Sequence, residues 1–346
     1  MKRSSLNSKS RSGAALMLAL WALFLLSAMV ISWALDIDSR LAVSGNASRV
    51  LDAEAMASSG ADVALAEAAR PSPAPNSPNL HRQLDRGLSY DVQITGEEGR
   101  LDLNWLTLNE DPTKRAILQQ YLTLKGVDLN DIDTMIDSLL DWVSPGQGIH
   151  HLNACPETDD YHPPHAPLTS VDDLKKICGW EKFTATPGWE EDFTVLPLSA
   201  LGQYRIDLAW ASRDVLRALS AVLPGIGDDK VDRFLQLRRG ADGIDGTADD
   251  YQFGATAQGS ASSVPTGSSI PPEVLTTLGL NQQQFKQPLP GTATSIEKLI
   301  TFKGPILRVV SAGKSGDVTR SVQMIISRAS LGGAVGHPLV ISWKEL

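Results

Sequence analysis

Only two cysteines occur in the 346-residue chain, too few for a disulfide-dense secreted scaffold. It also has no G-x-S-x-G elbow, no P-loop and no H-E-x-x-H pair, so serine acyl transfer, phosphate cradling and zinc hydrolysis have no motif to carry them. Acids are missing from residues 1–13, where Lys2, Arg3, Lys9 and Arg11 stand, and charge of either sign is missing from residues 14–35. What remains is ordinary: 42% hydrophobic and 21% charged residues, a composition that excludes wholesale disorder and collagen-like or coiled-coil fibres. The length allows two or three domains with a sizeable core. The net charge is −9, and without the four leading bases 27 basic residues face 40 acidic ones, or −13. So acidic a body is a poor general binder of nucleic acid, which is held through positive patches and counterion release.

The uncharged run Ala14 to Leu35 reads AALMLALWALFLLSAMVISWAL. As a helix it spans about 33 Å, enough for a bilayer core. Bases precede it, and Asp36 and Asp38 follow. That asymmetry predicts an N-terminus in the cytoplasm and a body on the far side of the membrane. The competing reading is a cleaved secretory signal, but the run is longer than such an apolar core and Ser32-Trp33-Ala34 is a weak cleavage site. Residues 36–69 are rich in alanine, the best helix former, with Gly45 and Gly60 as weak points. Pro71, Pro73, Pro75 and Pro78 are expected to end the helix. Membrane span (14–35) and stem (36–70) thus form one long helix.

Beyond it, Tyr90 to Ile94 and Leu101 to Leu103 alternate apolar and polar residues, the strand period, around a Glu97-Glu98-Gly99 turn. Strand patterns return at Ile306 to Val310, Val318 to Ile326 and Leu339 to Trp343, with a turn expected over Gly313 to Gly316. Between them the pattern is mostly helical. Ile117, Leu118, Tyr121 and Leu122 form one stripe, and Ile132, Met135, Ile136, Leu139 and Leu140 another; such stripes are core. The predicted fold is α+β: a long N-terminal helix, a small antiparallel sheet from 88–104 and 301–346, and an inserted α-helical domain over 105–300.

A short basic leader ending in Gly13, followed directly by a membrane helix, resembles the signal of type IV pilins and pseudopilins. The resemblance implies that prepilin peptidase cuts between Gly13 and Ala14, that residues 1–13 are a cleaved leader, and that the apolar segment is kept as the stem of a pilin-like helix. The family's N-methylation would fall on Ala14. Most members carry Glu at the fifth mature position, here Leu18; the K minor pseudopilins of type II secretion are the group that usually lacks it. Four further segments resemble K pseudopilin motifs: Gly99-Arg100-Leu101-Asp102-Leu103-Asn104, Ile136 to Trp142, Pro167 to Leu174 and Val340 to Glu345. Their order covers most of the chain.

Three segments invite chemistry. Ser212 to Leu216, Leu223-Pro224-Gly225-Ile226-Gly227 and Lys230 to Arg239 resemble a helix-hairpin-helix unit, whose amides face phosphate when it binds DNA. Here Asp228 and Asp229 stand at the second helix's N-terminus, where they cap well and repel phosphate. The K resemblance implies a packing module. Asp242, Asp245, Asp249 and Asp250, with Gly243 and Gly246, place four carboxylates in nine residues, a composition suited to calcium. The EF-hand spacing is not met, so a solvated acidic turn is the rival; the resemblance implies calcium. Cys155 and Cys178 would form a disulfide outside the cytoplasm. His150, His151, His162 and His165 lie nearby, but no C-x-x-C or compact H-x-x-x-H spacing supports zinc. Ser260 to Ser269 is low-complexity and is expected to be a loop.

Taken together, the resemblance implies a non-enzymatic minor pseudopilin K: single-pass in the inner membrane, periplasmic in its body, and placed with the I and J minor pseudopilins at the pseudopilus tip. No nucleic acid partner is expected. The rival readings are a membrane-anchored DNA-uptake receptor, a type IV minor pilin and an anchored periplasmic hydrolase.

Overall fold

The computed structural model describes residues 9–69, 77–84, 87–146, 150–202, 204–223, 225–245, 249–251, 253, 272–289, 294–302, 304–328 and 338–346. Three expectations fall outside them: the low-complexity 260–269 segment, Pro71, Pro73 and Pro75, and the hairpin residue Pro224. Helix α1 (Lys9–Ala68) is continuous over 60 residues, about 90 Å at the helical rise. It is the one described helix long and apolar enough to cross a membrane. The predicted span and stem are therefore a single element, and the Gly13–Ala14 bond lies within its first turns.

Along residues 14–49 every side chain of α1 is exposed. Further on, Ala53, Ala57, Ala61, Ala64 and Ala68 are buried, repeating every three or four residues along one face. That face lies on a five-stranded antiparallel sheet: β1 (His81–Gln83), β2 (Leu88–Gly96), β7 (Ile306–Ser315), β8 (Val318–Ser327) and β9 (Leu339–Glu345), in that spatial order. Small residues set the spacing. A Cβ on Gly60 would lie 2.3 Å from Ser311 Oγ and 2.9 Å from Val92 Cγ2; one on Gly313 would lie 2.1 Å from the Ala53 carbonyl oxygen. Val92, Ile94, Val309, Met324 and Ile326 fill the layer beneath.

Two details of the sheet differ from the sequence pattern. The turn expected over Gly313 to Gly316 is only two residues long. Ser315 pairs with Val318, Gly316 takes φ +59, and Gly313 stays inside β7 opposite Arg320. Gly313 is a close-approach residue, not a turn residue. Strand β1 was not legible at all: its three residues are exposed and carry no alternation.

The segment between β2 and β7 holds the larger core. It contains β3 (Leu101–Asp102), α2 (Leu103–Thr107), α3 (Pro112–Leu124), α4 (Leu129–Val143), α5 (Glu181–Thr184), β4 (Phe193–Thr194), α6 (Leu198–Leu201), β5 (Ile206–Asp207), α7 (Arg213–Ala218), α8 (Asp228–Arg238), α9 (Pro272–Leu278), α10 (Gln282–Lys286), α11 (Ile296–Leu299) and β6 (Ile300–Thr301). Both predicted helical stripes are buried. Parallel pairs β3–β4 and β5–β6, two residues each, stitch it where it leaves and rejoins the sheet. Much of 144–212 has neither helix nor sheet; apolar residues such as Leu174, Trp180 and Phe193 anchor it in the core, and backbone turns, side-chain hydrogen bonds and one cross-link complete its order.

Candidate functional site

The first candidate is the bare half of α1. Leu18, Trp21, Leu25 and Val30 are exposed by 60–71%, on a stretch of α1 that packs on no other described element. An apolar surface this continuous is what a soluble monomer avoids, and in lipid it is satisfied by acyl chains or neighbouring helices. Leu18 supplies no charge there, so it needs no buried counter-ion.

Several of the motif residues singled out in the sequence turn out to be fastenings. Asn104 donates to the carbonyls of Leu168 and Leu196, both at 3.0 Å, and accepts from Leu168 N–H at 2.9 Å. Asp102 caps α2 through Trp105 N–H and also accepts Leu196 N–H, each at 2.6 Å. Ser170 and Asp173 form a capping box on the 3-10 turn Val171–Lys176. Gly99 lies where a Cβ would meet Trp210 at 2.6 Å.

The hairpin is built as foreseen but turned inward. Gly225 takes φ +92, which glycine alone adopts without strain. Arg213 forks onto Asp232 (2.7 and 2.9 Å) and Arg217 onto Asp228 (2.6 and 3.1 Å). Lys125, the C-cap of α3, reaches Asp214 at 2.6 Å. The bases of α7 thus bind the acids of α8, an arrangement that favours packing over a phosphate contact.

Of the four candidate calcium carboxylates, the structure brings three together. Oxygens of Asp242, Asp249 and Asp250 lie within 4.8 Å of one another. Gly240, at φ +63, lets Asp249 fold back, since a Cβ would meet its carbonyl oxygen at 2.4 Å. Asp249 Oδ2 accepts the Ala241 and Asp242 N–H groups, and Asp242 Oδ1 accepts that of Ile244. Asp245 is turned away. It binds Arg238 through both oxygens at 2.9 Å and Arg239 at 3.0 Å. Arg238 is 4% exposed and donates to the Leu208 and Ala211 carbonyls, so Asp245 serves a buried cation of the fold. The remaining donor set, three hard anionic oxygens beside glycine turns, fits calcium chemistry.

Cys155 and Cys178 are bonded, with their Cα atoms 6.2 Å apart. The four histidines form no metal cluster among the described residues; they face carboxylates. His150 and His151 both bond Asp141, and His165 and His162 approach Glu157 at 3.1 and 3.8 Å.

A set of buried acids at the junction of sheet and insert had no signal in the sequence. Glu97 is fully buried and takes a two-pronged bond from Arg308 at 2.6 and 2.7 Å. Glu98 accepts Ile306 N–H through Oε2, while its buried Oε1 has no hydrogen-bond partner among the described residues. Burial, with Asp207 nearby, pushes the Glu98 pKa up to about 8. Burial likewise raises Asp102 to about 7 and Asp207 to about 6. The adjacent Glu97-Glu98 pair reads as a solvated turn; only the path of β7 shows that both point inward.

No protein-family model matches the sequence, and no curated protein matches it. Among solved structures, the chain is similar to one in the crystal structure of the GspK–GspI–GspJ complex from the enterotoxigenic Escherichia coli type 2 secretion system. The likeness has a TM-score of 0.56 and covers 88% of this chain and 99% of that one, at 12% identity. At that identity the likeness is one of fold: a pilin-like helix on a small antiparallel sheet, with a large helical insert.

Proposed function

We propose that this chain is a minor pseudopilin of type II secretion, of the K type, and a structural component with no catalytic role. One observation carries the reading: a 60-residue helix, bare over its apolar half and seated by an alanine–glycine face on a sheet interrupted by a helical insert. The similar chain comes from a complex with GspI and GspJ, which supports two other minor pseudopilins as partners.

The mature chain begins at Ala14, the methyl-accepting terminus, after prepilin peptidase removes residues 1–13. It crosses the inner membrane once and carries its body in the periplasm. With Leu18 in place of an acid, it cannot pair with the amine of a subunit above it, where an unmatched charge in lipid would be costly. A tip position needs no such pair and leaves room for the insert. Asp242, Asp249 and Asp250 are the residues that would hold calcium, which would supply charge neutralisation in the 240–250 loop.

The test is N-terminal sequencing after co-expression with prepilin peptidase, followed by co-purification with the I and J pseudopilins. An N-terminus at Ala14 and a stoichiometric ternary complex are expected. A mature chain that retains Met1, or starts beyond Leu35, overturns the reading.

A further inference from the structure

We propose that residues 150–165 form a pH-sensitive clasp on the insert: His151, as an imidazolium ion, pins this segment to α4, and loss of its proton releases it. The geometry leaves the His151 ring little choice of state. His151 Nδ1 bonds Asp141 Oδ1 while its Nε2 faces Glu110 at 3.4 Å. His165 Nδ1 faces the Asp141 carbonyl oxygen at 3.0 Å while its Nε2 faces Glu157 at 3.1 Å. Each ring therefore has an oxygen acceptor at both nitrogens. Only the doubly protonated ring donates at both; a neutral ring turns one lone pair onto an acceptor.

Regular structure does not order the segment, which holds neither helix nor named strand. The Cys155–Cys178 bond and the Tyr161 hydroxyl tie its middle to Cys178, and its other side-chain ties run to α4. Asp137 accepts Asn153 N–H and Nδ2 at 3.1 and 2.9 Å, and Ser138 Oγ accepts Cys155 N–H at 3.1 Å. Strain sits at both ends of the clasp. Glu110 and His165 hold φ values of +47 and +49, positions where a side chain costs energy and persists only when its surroundings insist. Freed of its ring contacts, His165 has reason to relax.

The charged and titratable groups facing the clasp are Asp137 and Asp141 of α4, Glu110 and Asp111 before α3, Arg115 of α3, Glu181 of α5, and His150, Glu157, Tyr161 and His162 of the segment itself. Arg115 is engaged by Asp137 at 2.7 Å and Asp133 at 3.5 Å. The balance around the rings is anionic. For His151, burial opposes the charge, but Asp141 and Glu110 outweigh it and raise the pKa. A raised imidazole pKa stabilises the closed form at acidic pH and loses that stabilisation as pH rises through the folded value.

Hydrogen exchange read by mass spectrometry on the full chain in detergent, from pH 5.5 to 8.5 and corrected for intrinsic rates, tests this. Peptides spanning 150–166 are expected to lose about tenfold in protection across that range, while β7 and β8 peptides lose much less. The double variant His151→Gln, His165→Gln is expected to abolish the difference, with the 150–166 peptides weakly protected at every pH. Constant protection in the native chain, an equal loss in the strands, or a pH response surviving in the double variant overturns the clasp. If the double variant leaves its strands unprotected at pH 5.5, the native series decides alone.

Discussion

The buried carboxyl of Glu98 has the clearest pH consequence of any single residue. Its folded pKa is raised from 4.5 to about 8, so the folded state holds a proton that the unfolded chain releases. The associated stability is complete below pH 4.5 and is lost as pH rises through 8. Glu98→Gln keeps the shape without the ionisation. It is expected to raise the melting temperature at pH 9 by several degrees, on the order of 2 kcal/mol, and to change little at pH 5. Thermal melts of both chains at the two pH values check this. Two aspartates only four residues apart in sequence separate equally cleanly. With calcium held as proposed, millimolar calcium is expected to raise the melting temperature, and Asp249→Asn is expected to abolish that rise by removing one of the proposed ligands. Asp245→Asn is expected to keep that response but melt lower throughout, because the buried Arg238 loses its counter-charge.

Within elements, glycine has opposite meanings in one helix. Gly45 has open space around its Cβ position, whereas Gly60 abuts Ser311 and Val92. Gly45→Ala should stabilise by about 0.5–1 kcal/mol, as in any exposed helix interior. Gly60→Ala should cost about 1–3 kcal/mol through overpacking, and Gly313→Ala at least as much, because its obstacle is the backbone of α1. Chemical denaturation of the three variants ranks them. The sequence marked both helix glycines as weak points in the same way, since propensity depends on the residue and not on what lies across from it. The strands were legible where one face is buried, as in Val92 and Ile94 or Met324 and Ile326. β1 was not, because an exposed three-residue edge strand is specified by its partner's free hydrogen bonds.

For the whole molecule, the cross-link matters because of where it falls. Cys155–Cys178 closes a 23-residue separation across a region with few regular elements. Reduction should cost about 3 kcal/mol in the chain-entropy model and should loosen the 144–178 region before the sheet. Exchange measurements with and without reductant distinguish this from uniform destabilisation. The insert and the sheet also share buried acids at their junction, where Glu97 of the 97–99 turn is bonded to Arg308 of β7. Shifting the insert would bare that charge, so the two regions are expected to unfold together.

By itself the sequence determined the long apolar N-terminal helix, the two buried helical stripes, the antiparallel meander and the position of the insert. Each is a local or periodic property, written in runs of charge, alanine or alternation. It also placed Asp242, Asp249 and Asp250, and Cys155 and Cys178, within reach of each other along the chain. Only the tertiary structure decided that Asp245 serves Arg238, that the hairpin arginines face their own acids, that Gly313 lies under α1, and that four histidines gather on carboxylates. Those outcomes depend on which charge a side chain meets across space, and residue type and spacing along the chain do not encode that distance.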